Sequence, residues 1–433
     1  MFADRGDTPA FEDCPTMPSL PPPAFINWKA WRAIAAPALC AGVLAACATT
    51  LGTDPNATSS LGETGAIDAA SARPARIAML LPLGGMDQTA AIAKGLKQAG
   101  EMALFELDKR NVQLIVKNDK GTSEGARAAA EEALGEGAEI ILGPLLAKAV
   151  PGAAAVARRA GVPLLAFSND RTVAGNGVYL MSFPVEQEVE RIVTFAASQG
   201  KSRFAALIPD NAYGKVVEPA FRNAVVRAGA TIAALETYPV HENAMLRPAK
   251  RVLDAIKTSE DTDAPIDALL VAGGPEALPQ LASLITYSGI DTTRVKLLGT
   301  GAWEYPSIGR EAAFAGGWYP GPDPRGWQEF STRFAKSFGS APPRLASLAH
   351  DAVALAVLLS AHPPGQRFTA AALTRPSGFI GEDGLVRFLP SGLPERALAV
   401  LEVQAFGSQV VDPAPGEFDT ASRISAVPGP AAN

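Results

Sequence analysis

From Arg76 to Asp170 the chain alternates short unbroken apolar runs with longer segments rich in Ala, Glu, Lys and Arg. The apolar runs are RIAMLLPLGG (76–85), VQLIVKND (112–119), EIILGPLLAKAV (139–150) and GVPLLAFSND (161–170). Strands buried on both faces lose the polar alternation of half-exposed ones, so this rhythm predicts βαβ units stacked into a parallel sheet. Between the runs, residues 86–110 place Ile92, Leu96, Met102 and Leu107 at roughly helical spacing behind Asp87, a residue type suited to an N-cap. Residues 123–135 and 147–159 predict two more helices, and Gly161-Val162-Pro163 ends the second. VYLMSF (178–183) predicts a fifth strand that leaves this first lobe.

A second series of the same kind follows. Strands are expected at 202–210, 231–240, 267–274 and 295–303, with helices at 212–229, 244–257 and 275–288. RGWQEFSTRFAKSFG and SLAHDAVALAVLLSAH predict two late helices, and residues 378–412 a hairpin-rich closing piece. The expected architecture is α/β: two doubly wound parallel-sheet lobes, one from 75–182 and 318–374, the other from 183–317 and 375–412. Residues 413–433 are expected to form a disordered tail. In such sheets ligands meet the loops at the carboxyl ends of the strands, which here read LPLGG (Leu83, Gly84), GPLLAKA and FSND.

Composition changes the picture mainly at the N-terminus. All three cysteines, Cys14, Cys40 and Cys47, fall in the first 47 residues, so the globular body has no disulfide or thiolate chemistry. Lys29 and Arg32 precede AIAAPALCAGVLAAC (33–47), an apolar run of signal-peptide length rather than membrane-span length. Its last residues, Leu44-Ala45-Ala46-Cys47, resemble the bacterial lipobox, in which the Cys becomes the lipidated first residue of the mature chain. Residues 1–16 are acidic and Pro-containing, unlike an n-region, and Met17 offers an alternative start that leaves Cys14 outside the protein. Residues 48–74 are rich in Ser, Thr, Gly and Ala without periodicity, which predicts a flexible tether spanning roughly 30 Å. A net charge of −6 without a basic stripe argues against nucleic acid as a partner.

The pieces RIAMLLPLGG, IILGP, GVPLLAFSN, IPDNAYGK, LLGTGAW, HDAVALA and GEDGLVRF, in this order, resemble the type I periplasmic solute-binding proteins. The likeness is greatest to the leucine/isoleucine/valine-binding group and the penicillin-binding-protein activator lipoproteins, and covers about residues 75–412. It implies two lobes joined by three crossovers, with the ligand in the cleft between them and closure by a hinge. It also implies where cleft residues fall. The loop after the third strand, where amino-acid-binding relatives carry serines for the ligand carboxylate, is Leu145, Leu146 and Ala147 here, with Lys148 beside it. Ser168 and Asn169 match a polar ligand-facing position, and Tyr213 a tyrosine that closes over the ligand. Gly273 and Gly274 stand where relatives place an aromatic lid, and Ala302-Trp303 where they keep an acid for the ligand ammonium, with Glu304 close by.

Neither a Walker A nor an H-E-x-x-H motif is present, and the histidines are only His241, His350 and His362. The expectation is a non-enzymatic, lipid-anchored periplasmic protein that captures a small solute for an ABC permease. The alternative is an envelope regulator using the same fold to contact a peptidoglycan synthase. With the carboxylate grip and ammonium acceptor both altered, the cleft is expected to have one apolar wall and few charged groups. It should then bind leucine, isoleucine or valine no tighter than about 100 μM, roughly −5.5 kcal/mol.

Overall fold

The computed structural model describes residues 74–85, 87–107, 111–241 and 244–418; the lipobox Cys47, the signal segment and the tether lie outside the described residues. The first lobe is built from β1 (Ala75–Leu81), α1 (Gln88–Glu106), β2 (Val112–Asn118), α2 (Ser123–Gly135), β3 (Ile140–Leu142), α3 (Val150–Ala160), β4 (Leu164–Ala166) and β5 (Val178–Leu180). Its five strands form a parallel sheet in the order β2-β1-β3-β4-β5. Asp87 does cap α1, its carboxylate accepting from the Ala90 N–H at 2.9 Å. β1 shows why its run is apolar throughout. Ile77, Met79 and Leu81 face one core with Ala93, Leu96 and Ala99 of α1, while Ala78 and Leu80 face a second with the alanines of α2 and α3. Each such buried Leu, Ile or Met contributes about 1.5–3 kcal/mol of transfer free energy.

The second lobe repeats the plan. It comprises α4 (Val185–Ser198), β6 (Arg203–Pro209), α5 (Gly214–Arg227), β7 (Thr231–Tyr238), α6 (Leu246–Ser259), β8 (Ala268–Val271), α7 (Leu278–Ser288), β9 (Lys296–Leu298) and β10 (Trp318–Gly321). Later come α8 (Pro324–Phe338), α9 (Ala346–Leu359), α10 (Ala370–Leu373), β11 (Phe379–Gly381), β12 (Gly384–Phe388), β13 (Pro394–Arg396), β14 (Ala399–Val403) and β15 (Ser408–Asp412). The second sheet runs β15-β14-β10-β9-β8-β6-β7, with β14 and β15 antiparallel at one edge. Along β6, Ala205 and Leu207 face α6 and α7, while Phe204, Ala206 and Ile208 face α4 and α5.

Three boundaries differ from the expectation. Trp318–Gly321 does not return to the first lobe: it pairs with β9 and with β14 in the second sheet, so the return begins at Pro322. The closing piece is also divided. Phe379, Val386 and Phe388 of β11 and β12 join the first lobe's core, alongside Phe330 and Phe334 of α8 and the buried face of α9, and only β14 and β15 belong to the second. The partners of these short strands are remote in sequence, so local pattern alone does not assign them. The tail, finally, begins later than residue 413, because Phe418 packs under the Arg387 guanidinium, 4.2 Å from ring centroid to Cζ. The chain therefore passes between lobes three times, after β5, after β10 and between β13 and β14. Among the described residues no helix is long and apolar enough to cross a membrane.

Candidate functional site

The three crossovers floor a cavity of about 470 Å³: Ser182 and Phe183 come from the first, Gly321 and Pro322 from the second, and Leu398 from the third. The first lobe supplies an apolar wall from Ile92, Leu145, Leu146, Phe167, Leu345 and Leu348. The opposite wall presents Glu188 from the first turn of α4, Tyr213 just ahead of α5, and Gly301, Ala302 and Glu304 from the loop after β9. Thr89 of α1, Val185 of α4 and Arg344, in the loop before α9, also line it.

Of the residues proposed from sequence, Leu145, Leu146, Ser168, Asn169, Tyr213 and Ala302 line this cavity together. Leu83, Gly84, Ala147, Gly273, Gly274 and Trp303 do not. Leu83 instead donates its N–H to the Asn118 side chain at 3.0 Å, which also packs against Gly84. Gly273 and Gly274 are buried; a Cβ at Gly273 would come within 2.6 Å of the Tyr238 hydroxyl, which donates to the Ala272 carbonyl. Trp303 is fully buried, its indole N–H donating to the Val271 carbonyl at 3.0 Å, and its ring packs on Phe314. Gly301–Trp303 form a tight 3₁₀ turn, in which successive side chains diverge by about a third of a rotation, so Ala302 faces the cavity while Trp303 enters the core. Ala147 opens a similar short turn beside the cavity, and Lys148 is exposed and outside it.

The polar wall is richer than the sequence suggested. Tyr213 and Thr300 share a hydrogen bond of 2.5 Å between hydroxyls, and burial raises the Tyr213 pKa against the lowering effect of that bond, so the phenol stays neutral. Glu188 is 7% exposed, and its Oε2 accepts from the Gly301 N–H at 3.0 Å. A Cβ on residue 301 would lie 2.6 Å from Glu188 Oε1, so glycine there is what lets the carboxyl occupy this place. Burial pushes the Glu188 pKa up to about 8 against the lowering effect of the Gly301 N–H, with Glu304 and Glu186 adding repulsion.

Arg344 is held by the protein on every side. Its Nε lies 3.1 Å from Glu304 Oε1 and its Nη2 lies 2.9 Å from Asp383 Oδ1. Both are close ion pairs whose N–H directions stray from the hydrogen-bond line. Nη1 donates to Ser347 Oγ at 3.1 Å, and that hydroxyl donates to Asp383 Oδ2 at 2.6 Å. The guanidinium also sits between the Phe183 and Trp327 rings, 5.2 and 4.6 Å from their centroids. Burial raises the Glu304 pKa, and Arg344 opposes that rise.

Sequence reasoning missed Glu188 and Arg344. Glu188 carried a signal: it lies four residues before Ile192 and seven before Phe195, on the apolar stripe of α4. An acid on a buried stripe invites the question of what it faces. Arg344, in the Pro-containing loop stretch APPRLAS, carried none.

A family model described as periplasmic binding protein matches residues 74–404. No curated protein matches the sequence. An ABC transporter substrate-binding protein from Sphaerobacter thermophilus is 20% identical, with a TM-score of 0.64 over 80% of this chain and 99% of the other. A substrate-binding protein from Desulfitobacterium hafniense in complex with Leu is 19% identical, with a TM-score of 0.58 over 78% and 100%. A solute-binding protein from Rhodopseudomonas palustris BisB5 in complex with 3,4-dihydroxybenzoic acid is 18% identical, with a TM-score of 0.55 over 79% and 99%. The chain belongs to the periplasmic binding protein family, with the two-lobed fold of its type I members.

Proposed function

We propose that this protein is a lipid-anchored, periplasmic substrate-binding protein that captures a small solute between its lobes and delivers it to an ABC permease. The supporting observation is the cavity itself: both lobes wall it, all three crossovers floor it, and closing or opening the hinge would change every one of its walls. About 470 Å³ suits a small molecule rather than a polypeptide segment. Cys47, acylated after cleavage of the signal segment, would hold the protein at the membrane through residues 48–74. The regulatory reading, contact with a peptidoglycan synthase, draws support from Arg344 and Glu304, which join the lobes through the protein's own side chains.

The test uses the detergent-purified full chain in a thermal-shift screen against a broad solute library. A solute present at 100 times its Kd should stabilise the fold by about 2.7 kcal/mol. The Ala302→Trp variant, which fills the cavity, should lose that response. A screen with no response, together with capture of a peptidoglycan synthase in a pull-down, would transfer the assignment to the regulatory reading.

A further inference from the structure

The cavity is unequal in what charge it can receive, and the inequality comes from which of its charged groups are already satisfied. Among the described residues Arg344 is the only cationic side chain in the lining, and each of its three guanidinium nitrogens is engaged by Glu304, Asp383 or Ser347. A ligand carboxylate would have to displace one of those acids and would face the remaining ones. After β3 the first lobe offers it Leu145 and Leu146 instead of hydroxyl groups, leaving Thr89 and Ser168 as the hydroxyls of that wall. On the other wall, Glu188 spends only Oε2 on the protein, on the Gly301 N–H, while its side chain faces the cavity.

We propose, within the solute-capture reading, that the cavity selects an apolar ligand carrying a protonated amine and no free carboxylate, with the Glu188 carboxyl group as the acceptor of the amine. Ile92, Phe167, Leu345 and Leu348 receive the apolar body, and that burial supplies the non-directional part of the affinity. Glu188 supplies the selection, since a charge-assisted hydrogen bond in a desolvated site is stronger than a neutral one. The groups facing Glu188 sharpen this. Glu186 lies on its own helix, Glu304 on the loop after β9, the neutral Tyr213 phenol at the start of α5, and Arg344 across the cavity is neutralised by its own acids. The neighbouring acids Glu186 and Glu304 therefore favour a cation beside Glu188 and disfavour an anion.

Proton balance follows from the same geometry. Glu188 holds its proton at neutral pH in the free protein, because burial raises its pKa to about 8. An alkylammonium ion arriving beside it favours the carboxylate, and the displaced proton leaves to solvent. Binding at neutral pH thus releases about one proton per ligand, and affinity rises with pH toward about 8.

The experiment is calorimetry on the detergent-purified full chain at neutral pH, in two buffers of different ionisation enthalpy, with four probes that share an isobutyl group. They are 3-methylbutylamine, 3-methylbutanoate and 3-methylbutanol, with leucine, which adds a carboxylate carbon to the amine and keeps the shared isobutyl group. The amine should bind tightest, with a buffer-dependent enthalpy that reports proton release. Glu188→Gln should weaken the amine about 10- to 100-fold and leave the alcohol unchanged, which also shows that the cavity is intact. Leucine or 3-methylbutanoate binding as tightly as the amine would overturn the proposal, as would equal amine affinity in the Gln variant. Silence from all four probes overturns the amine preference alone, whereas silence across the broad solute screen removes solute capture itself.

Discussion

The two walls of the cavity come from the same kind of βα unit and are chemically opposite. In the first lobe the loops after β3 and β4 present Leu145, Leu146 and Phe167, and of the two polar residues Ser168 and Asn169 the former turns its hydroxyl oxygen inward, accepting from the Asp170 N–H at 3.1 Å. In the second lobe Glu188, Tyr213 and Glu304 project into the cavity, and each is bonded to a neighbour that fixes it. An apolar wall gains by area and tolerates change of shape; a polar wall in a desolvated site gains by placement, and a lost partner there leaves a costly orphan. Changes on the second wall and on the ion pairs behind it should therefore move stability more than changes on the first.

The largest effect is expected at the seam between the walls. Arg344→Ala leaves the Asp383 side chain, which is wholly buried, with only the Ser347 hydroxyl and the more distant Arg396 charge. Removing one partner of a buried pair should destabilise the protein by about 3 kcal/mol, measured by urea denaturation. A loss below about 1 kcal/mol would mean that water reaches Asp383 and that the pair behaves as an exposed one.

Next comes Glu188, whose effect should be seen in the pH dependence of stability. Its folded pKa of about 8 lies above the ordinary carboxylate value of 4.5, so the folded protein keeps a proton that the unfolded chain releases. The stability this contributes is complete below about pH 4.5 and is lost as pH rises to about 8. The slope approaches 1.4 kcal/mol per pH unit at most. Glu188→Gln should flatten the curve and gain about 2 kcal/mol on the natural protein between about pH 6 and 8. Parallel curves for the two proteins would show that Glu188 is ionised throughout.

On the first wall, Ser168→Ala should cost only about 1 kcal/mol, the net value of one hydrogen bond, in the same denaturation assay. A loss as large as that of Arg344→Ala would erase the contrast between the walls.

The repeated βα rhythm, the helix starts and the existence of two lobes were legible in the sequence, because each rests on residues near one another along the chain. Ile77, Met79 and Leu81 alternate with Ala78 and Leu80 whichever lobe they enter, and Asp87 caps the helix that follows it wherever that helix packs. Part of the cavity was legible for the same reason, since loops at the carboxyl ends of parallel strands converge by topology. What only the tertiary structure decided depends on remote pairs. Trp318 joins the second sheet because Leu298 and Glu402 are there to pair with it. Trp303 turns into the core because Val271 offers its carbonyl. Glu188 reaches the cavity because residue 301, more than a hundred positions away, has no side chain. Arg344 is spent on Glu304 and Asp383, which lie on opposite sides of it in sequence. The charge a site presents is set by which of its groups are already satisfied, and that is a property of the folded chain.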